Sequence, residues 1–211
     1  MIYSKLTTPF KSRLSCRFFH SQLVLRSNVR KNLNINQQER LNKLVLDENY
    51  KFWLGGFIEG EGSLVISIVK NDKLKFKLAL QPEFNVVQHE NGILVLYAFQ
   101  TLFEDKGSVH QKSGSDKVWV YSIKGTENLI KYVLPFFNKY VALYSSKYKT
   151  DILQNFTHVL NRLAENKEKP ISKEEMVELI KLVYGFNPDG KGKQRKRTLQ
   201  ETLDIVNSAI L

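Results

Sequence analysis

The stretch Phe52-Trp-Leu-Gly-Gly-Phe-Ile-Glu-Gly-Glu-Gly-Ser63 places four glycines and two carboxylates in an otherwise apolar, helix-like run. A glycine inside a helix costs roughly 0.5–1 kcal/mol relative to alanine, so these glycines must allow something that other residues prevent. Gly56 and Gly60 are four residues apart on one helix face, which favours close approach of a second helix. Glu61 ends the helix, where the dipole disfavours a carboxylate by about 0.3–1 kcal/mol and a bound cation would reverse that effect.

This stretch resembles the defining motif of the LAGLIDADG homing endonucleases, written here Leu54-Gly-Gly-Phe-Ile-Glu-Gly-Glu-Gly62 with glutamates in place of both aspartates. Three downstream segments follow in the family's order: Phe84-Asn-Val-Val-Gln-His-Glu90, Leu134-Pro-Phe-Phe-Asn-Lys-Tyr140 and Ser145-Ser-Lys147. The resemblance covers about residues 47–200. It implies an α+β chain of αββαββα topology, with a saddle-shaped antiparallel sheet and additional C-terminal helices.

The composition limits the other classes of protein. With 211 residues and 42% hydrophobic content the chain can bury one core, and no segment reaches the roughly 18 apolar residues of a transmembrane helix, so no membrane partner is expected. One cysteine, Cys16, excludes an intramolecular disulfide and a cysteine-based zinc cluster. The four histidines show no metal-ligand spacing, so metal chemistry here would use carboxylates and suit a hard cation such as Mg²⁺.

The formal net charge of +11 predicts a polyanionic partner. No acidic residue precedes Glu39, and residues 1–30 have the Arg- and Ser-rich composition of an organelle transit peptide. A basic tail that binds nucleic acid and translated intron-flanking sequence are the alternatives for this arm. Targeting would place the protein in the mitochondrion, or alternatively in the chloroplast. We expect residues 31–46 to be a linker passing into a short helix, and residues 47–211 to be the endonuclease domain.

Hydrophobic periodicity predicts the elements of that domain. A helix capped by Asp47 or Asn49 precedes strands at 63–70 and about 74–87, and a helix at 92–104 precedes strands at 108–112 and 117–123. Further helices are expected at about 128–136, 144–164 and 172–184, the last opened by a capping box from Ser172 to Glu175, and beyond about Leu199.

One face of the second predicted strand, at about 74–87, is expected to be polar, which suits contacts with DNA in the major groove. An ordinary solvated sheet face is the alternative. A Gly-rich loop at 187–197 adds five basic residues. The pattern puts Trp119 and Lys117 on the side of His110, and a register shift of one would instead bury Trp119. The candidate DNA-binding residues are Ser67, Asn71, Lys75, Lys77, Gln81, Asn85, His110, Lys112, Lys117, Trp119, Lys191, Lys193 and Arg195.

The remaining site residues follow from the resemblance. The chain has one motif copy, which implies a homodimer and a pseudo-palindromic target. The resemblance assigns catalysis to Glu61, Gln88 and Lys147, and Mg²⁺ or Mn²⁺ binding to Glu61 and Gly60. The dimer interface is expected to comprise Leu54, Gly55, Gly56, Ile58, Glu59 and Gly60.

The resulting hypothesis is a homing endonuclease that makes metal-dependent double-strand cuts in a long organellar DNA site. The first alternative is an RNA maturase that assists splicing of a group I intron with weak or no cleavage. The second is a DNA-binding regulator that uses the same surface without chemistry.

Overall fold

The structure is a computed structural model that describes residues 33–186 and 195–209. Residues 40–211 form one compact unit, and the other unit, residues 1–39, is described from residue 33 onward. The predicted arm at 1–30 and the candidate DNA-binding residues Lys191 and Lys193 therefore lie outside the described residues. Within the described ranges, no helix combines the length and the apolar composition needed to cross a bilayer.

Two capped helices open the described chain. Helix α1 spans Ile35–Leu44, and Asn34 and Gln37 exchange side-chain to backbone hydrogen bonds at its start. Helix α2, the motif helix, spans Glu48–Glu61, and the Asp47 carboxylate accepts a 2.9 Å hydrogen bond from the Tyr50 amide. This cap confirms Asp47 as the helix start, because a side-chain acceptor satisfies an amide that lacks a partner within the helix.

In the described part of the chain, four antiparallel strands form a single sheet in the order β1-β2-β4-β3. Their bounds are Gly62–Lys70 for β1, Leu78–His89 for β2, Ser108–Gln111 for β3 and Val118–Lys124 for β4. Helix α3, Ile93–Leu102, connects β2 to β3. A continuous helical segment at 126–144, here α4, follows β4 and completes the expected αββαββα order.

Three C-terminal helices follow, as predicted. Helix α5 spans Lys147–Ala164, α6 spans Lys173–Tyr184 and α7 spans Leu199–Asn207. The predicted capping box of α6 is present, with reciprocal hydrogen bonds between Ser172 and Glu175.

Aromatic side chains fill the space between the sheet and the helices. Phe84 of β2 is completely buried and meets the rings of Phe99 in α3 and Phe137 in α4, the latter edge-on with 5.2 Å between ring centroids. Tyr121 and Ile123 of β4 are equally buried. We call this side of the sheet the core face and the opposite side the open face.

The start of the second strand differs from the prediction. Strand β2 begins at Leu78 rather than about Leu74, because residues 71–77 form a loop closed by a 2.8 Å hydrogen bond from the Asn71 amide to the Lys77 carbonyl. Lys77 adopts a positive φ of 57° at this closure. Lys75 and Lys77 consequently lie in a hairpin loop and not on a strand face.

Candidate functional site on the motif helix and the open face

The motif helix α2 turns one side into the protomer's own core. Leu54 and Ile58 are completely buried there. A Cβ atom added to Gly55 would overlap the carbonyl oxygen of Tyr140, so this glycine allows α4 to pack directly on the helix backbone. The expected dimer contacts of Leu54, Gly55 and Ile58 are therefore wrong: these residues pack within the protomer and present nothing to a partner.

The opposite side of α2 carries an exposed stripe made of Phe52, Trp53, Gly56 and Gly60. Among residues 33–186 and 195–209, a Cβ atom added to Gly56 or Gly60 would meet nothing within 4 Å. The stripe therefore has two aromatic side chains followed by bare backbone, with no packing inside the protomer that explains either glycine. Bare helix backbone with apolar neighbours suits the approach of another helix.

Glu59 is held mainly by its own protomer. Its Oε1 atom accepts a hydrogen bond of 3.2 Å from the backbone amide of Ser146, the N-cap residue of α5. Burial raises the pKa of Glu59, but hydrogen bonds from Ser145 and Ser146 outweigh burial and hold this pKa below its ordinary value. The structure thus gives Glu59 an intramolecular role, and its expected dimer contact stays a prediction.

Glu61 is the last residue of α2 and is exposed. Within the described ranges its carboxylate makes no hydrogen bond or ion pair. The next residue, Gly62, approaches Ile58 so closely that a side chain there would collide with it, which makes the turn from α2 into β1 tight. A carboxylate thus stands free at the negative end of a helix dipole, a position that a cation would stabilise.

The donors at this helix end fit a hard divalent cation. The Glu61 carboxylate and the Gly60 carbonyl are oxygen ligands, the type that Mg²⁺ and Mn²⁺ accept. Within residues 33–186 and 195–209, no cluster of three or more His, Cys, Asp and Glu side chains could hold a metal ion. Among the described residues, the Glu61 carboxylate and the Gly60 carbonyl are therefore the oxygen donors at this helix end that we consider as candidates.

Gln88 lies at the same end of the sheet as the start of β1. Gly62 pairs with Val86, and Gln88 lies two residues further along β2. Its Oε1 atom accepts a 2.7 Å hydrogen bond from the His89 amide, and its side chain occupies the space that a Cβ atom on Gly92 would fill. Gln88 is thus half-buried in a defined position near the α2–β1 junction.

Two lysines at the start of α5 have different surroundings. Lys147 is 87% exposed and pairs with Asp151 of its own helix at 2.7 Å. Lys149 instead donates hydrogen bonds of 2.9 Å to the carbonyl oxygens of both Ile58 and Gly62, on either side of Glu61. Burial lowers the pKa of the Lys149 ammonium, and the charge of Glu59 offsets part of that effect. The role of Lys147 stays a prediction, and Lys149 is a residue that the sequence analysis missed.

The open face carries several of the candidate DNA-binding residues. Ser67 pairs with Gln81, and Asn85 lies four residues along β2 on the same face. His110 is opposite Val120 on that face too. Asn71, Lys75 and Lys77 lie in the β1–β2 loop, whereas Lys112 and Lys117 flank the β3–β4 turn. Lys77 is half-buried, and the other four residues are exposed.

Two candidate DNA-binding residues lie elsewhere. Trp119 pairs with Gln111 and Gln88, on the side of Tyr121 and Ile123, so the register places it on the core face and away from His110. Arg195 donates to the carbonyl oxygens of Ile66 and Val183, at 3.2 and 2.9 Å. Its guanidinium also lies 4.8 Å from the Tyr184 ring centroid, so Arg195 holds the chain before α7 against β1.

The open face also contains an ion pair that the sequence did not reveal. Lys124 lies 3.4 Å from Glu83, its direct neighbour across β4 and β2. The side chain of Glu83 is only 20% exposed, whereas that of Lys124 is 68% exposed. The pair adds a carboxylate acceptor and an ammonium donor to the open face.

Comparison with known proteins agrees with this architecture. A family model described as LAGLIDADG endonuclease matches residues 54–159, from the motif helix to within α5. Over 128 residues the chain is 37% identical to "DNA endonuclease I-CeuI" of Chlamydomonas moewusii, covering 61% of this chain and 58% of that protein. A "Probable intron-encoded endonuclease 2" of Neurospora crassa is 26% identical over 115 residues, covering 54% of this chain and 25% of its own length.

Solved structures show the same fold. A structure of the "Group I Intron-encoded Homing Endonuclease I-CeuI Complexed With DNA" has a TM-score of 0.70 and 27% identity, covering 95% of this chain and all of that one. An "Archaeal Intron-encoded Homing Endonuclease I-Vdi141I Complexed With DNA" has a TM-score of 0.66 and 26% identity, covering 76% and 97%. The α+β fold and the motif helix that ends in Glu61 define the class: this chain belongs to the LAGLIDADG endonuclease family.

Proposed function

We propose that this chain is a homodimeric homing endonuclease that makes divalent-metal-dependent double-strand cuts in a long pseudo-palindromic DNA site. The observation that carries the proposal is the free Glu61 carboxylate at the end of a motif helix whose Gly56 and Gly60 backbone is open. Pairing of two such stripes brings two Glu61 side chains together. Each Glu61 carboxylate then adds an oxygen ligand to the cation site of the other protomer.

The chemistry requires few residues from each chain. Glu61 and the Gly60 carbonyl would hold Mg²⁺ or Mn²⁺, which when bound would supply activation of water and stabilisation of the leaving oxygen. Gln88 orients the attacking water, since its amide is fixed near the α2–β1 junction. Lys147 contacts the phosphate backbone from the rim, where its ammonium is exposed.

The open face recognises the DNA. Ser67, Gln81, Asn85 and His110 project hydroxyl, amide and imidazole groups from neighbouring strands, the donors and acceptors that read base edges in the major groove. The lysines of the two hairpin loops contact the DNA phosphate backbone on either side of the groove. The basic net charge of +11 supports this partner.

The names of the relatives support an intron-linked setting. The algal relative is I-CeuI, whose solved structure is titled a group I intron-encoded homing endonuclease. The fungal relative is named a probable intron-encoded endonuclease. We therefore assign an intron-linked role in an organelle, with the mitochondrion favoured over the chloroplast by the arm at 1–30.

Selection of cleaved sites from a randomised duplex library tests this function. The full chain is incubated with Mg²⁺ beside Glu61→Gln, and Glu127→Gln, an exposed glutamate of α4, is the control. We expect double-strand cuts at one site by the wild type and by the control, and none by Glu61→Gln, which should still bind the duplex. Tight binding to structured intron RNA without any cleavage would overturn the proposal in favour of a maturase.

A further inference from the structure

The first turn of α5 is tied to the last turn of the motif helix at three points. The Ser146 amide donates to Glu59, and Lys149 donates to the carbonyl oxygens of Ile58 and Gly62. The two carbonyls bonded by Lys149 lie three residues before and one residue after Glu61. A single ammonium therefore spans the segment that carries the Glu61 carboxylate and the Gly60 carbonyl.

This segment has little else to hold it. The last carbonyls of an α-helix have no partner within the helix, and a helix end needs caps to remain ordered. Gly60 contributes no side chain, and Glu61 is exposed without a partner among the described residues. The Gly62 amide does bond to the Ile58 carbonyl. The Lys149 ammonium donates to the same Ile58 carbonyl and also to the Gly62 carbonyl. It therefore links both sides of the junction between the motif helix and β1.

The position of Lys149 on its helix explains this reach. Lys149 lies on the same stripe of α5 as the buried residues Leu153, Phe156 and Leu160. That stripe packs against the rest of the protomer, which fixes the stem of the lysine and directs its ammonium to the motif helix. Two of the three ammonium donors are committed to backbone carbonyls.

We propose that Lys149 is a positioning residue for the cation site: it holds the carboxyl end of the motif helix so that Gly60 and Glu61 present their oxygens to the metal. The inference rests on the proposed function for its catalytic consequence. Its structural consequence, an ordered cation site, is independent of which DNA the protein cuts. Partners behind metal ligands typically alter metal affinity or activity by about 10–100-fold when removed.

The experiment compares Lys149→Met and Lys149→Arg with the wild type in the full chain. Lys181→Met is the control, since Lys181 lies on α6 and pairs only with Glu178 of its own helix among the described residues. The readouts are Mn²⁺ affinity from electron paramagnetic resonance, single-turnover cleavage of the selected site, and DNA affinity in EDTA. Thermal unfolding identifies any variant that fails to fold.

For Lys149→Met we expect Mn²⁺ affinity and cleavage rate each to fall about 10–100-fold while metal-free DNA affinity stays within a factor of about two. Lys149→Arg should recover part of both losses because a guanidinium can still bond to the two carbonyls. If a folded Lys149→Met binds Mn²⁺ and cleaves like the control, the proposal is wrong. If the wild type cleaves no duplex, the proposed function fails, and the Mn²⁺ affinities alone still decide the role of Lys149.

Discussion

Gly55 and Gly56 are identical neighbours on the motif helix, yet they serve opposite purposes. Gly55 lets the backbone of α4 contact the helix, because any Cβ atom there would overlap the Tyr140 carbonyl. Gly56 has open space where its Cβ atom would be. One glycine is required by packing inside the protomer, whereas the described part of the chain offers no close contact that requires the other.

We therefore expect Gly55→Ala to lower the free energy of unfolding by about 1–3 kcal/mol, the usual cost of overpacking. Gly56→Ala should instead leave the monomer unchanged or more stable by up to about 1 kcal/mol, since alanine favours the helix. Urea denaturation in dilute protein, where association is negligible, measures both. Equal destabilisation by the two substitutions would show that the Tyr140 contact is not the reason for Gly55.

The two lysines of α5 show how far a residue's role can be predicted. Similarity to the family pointed to Lys147, whereas the hydrogen bonds to the motif helix come from Lys149. The sequence did indicate that Lys147 is solvated, because Lys147 and Asp151 form an i, i+4 pair typical of a solvated helix face. Lys149 shares its stripe with Leu153 and Phe156, but that pattern could not identify the carbonyls that the ammonium meets.

Capped helix starts were predicted more accurately than strand faces, whereas the helix expected at about 128–136 runs from 126 to 144. Asp47, Ser172 and the helix following Thr198 are found where the sequence indicated, since a cap involves residues only two or three apart. Trp119 was assigned to the wrong face because alternation with a period of two does not determine which set of residues is inside. The loop ending at Lys77 was missed because a lysine with positive φ carries no sequence signal.

Helices α5 and α6 are joined by an ion pair that responds to pH. Arg162 donates to both oxygens of Glu175 at 3.1 and 3.0 Å, and Ser172 adds a backbone hydrogen bond. The Arg162 guanidinium, followed by the Ser172 amide, lowers the pKa of Glu175 from 4.5 to about 2. A lowered pKa in the folded state means that this stabilisation is present above pH 4.5 and is lost as the pH falls toward 2.

Urea denaturation between pH 7 and pH 3 checks this assignment in the wild type and in Glu175→Gln. We expect the wild type to be more stable above about pH 5, with the difference between the two proteins shrinking as the pH falls below 4.5. Other carboxylates titrate in both proteins and cancel in the difference. A difference that stays constant down to pH 3 would contradict the lowered pKa of Glu175.

The proposed dimer pairs two copies of the chain along the exposed stripe of the motif helix. If two copies pair along Gly56 and Gly60, a large side chain at Gly56 separates the helices without disturbing either protomer, since its Cβ position is open. We expect Gly56→Leu to sediment as a monomer of 24.5 kDa and the wild type as a dimer. Double-strand cleavage should be lost together with the dimer.

A leucine placed elsewhere separates this effect from added hydrophobicity. Gln154→Leu, at an exposed position of α5, adds the same side chain away from the stripe and should remain dimeric. The proposal of a homodimer fails if Gly56→Leu and Gln154→Leu sediment alike, or if the wild type is monomeric at micromolar concentration.

Properties that arise within a few residues were readable in the chain alone: the glycine spacing, the capped helices, the order αββαββα and the carboxylate at the end of the motif helix. These features depend on hydrogen bonds and periodicities spanning three or four positions. Tertiary structure decided which side of the motif helix is buried, which face holds Trp119 and which lysine bonds to the end of the motif helix. Those outcomes depend on contacts such as Glu59 with Ser146, 87 residues apart, and only packing of the complete core selects among such partners.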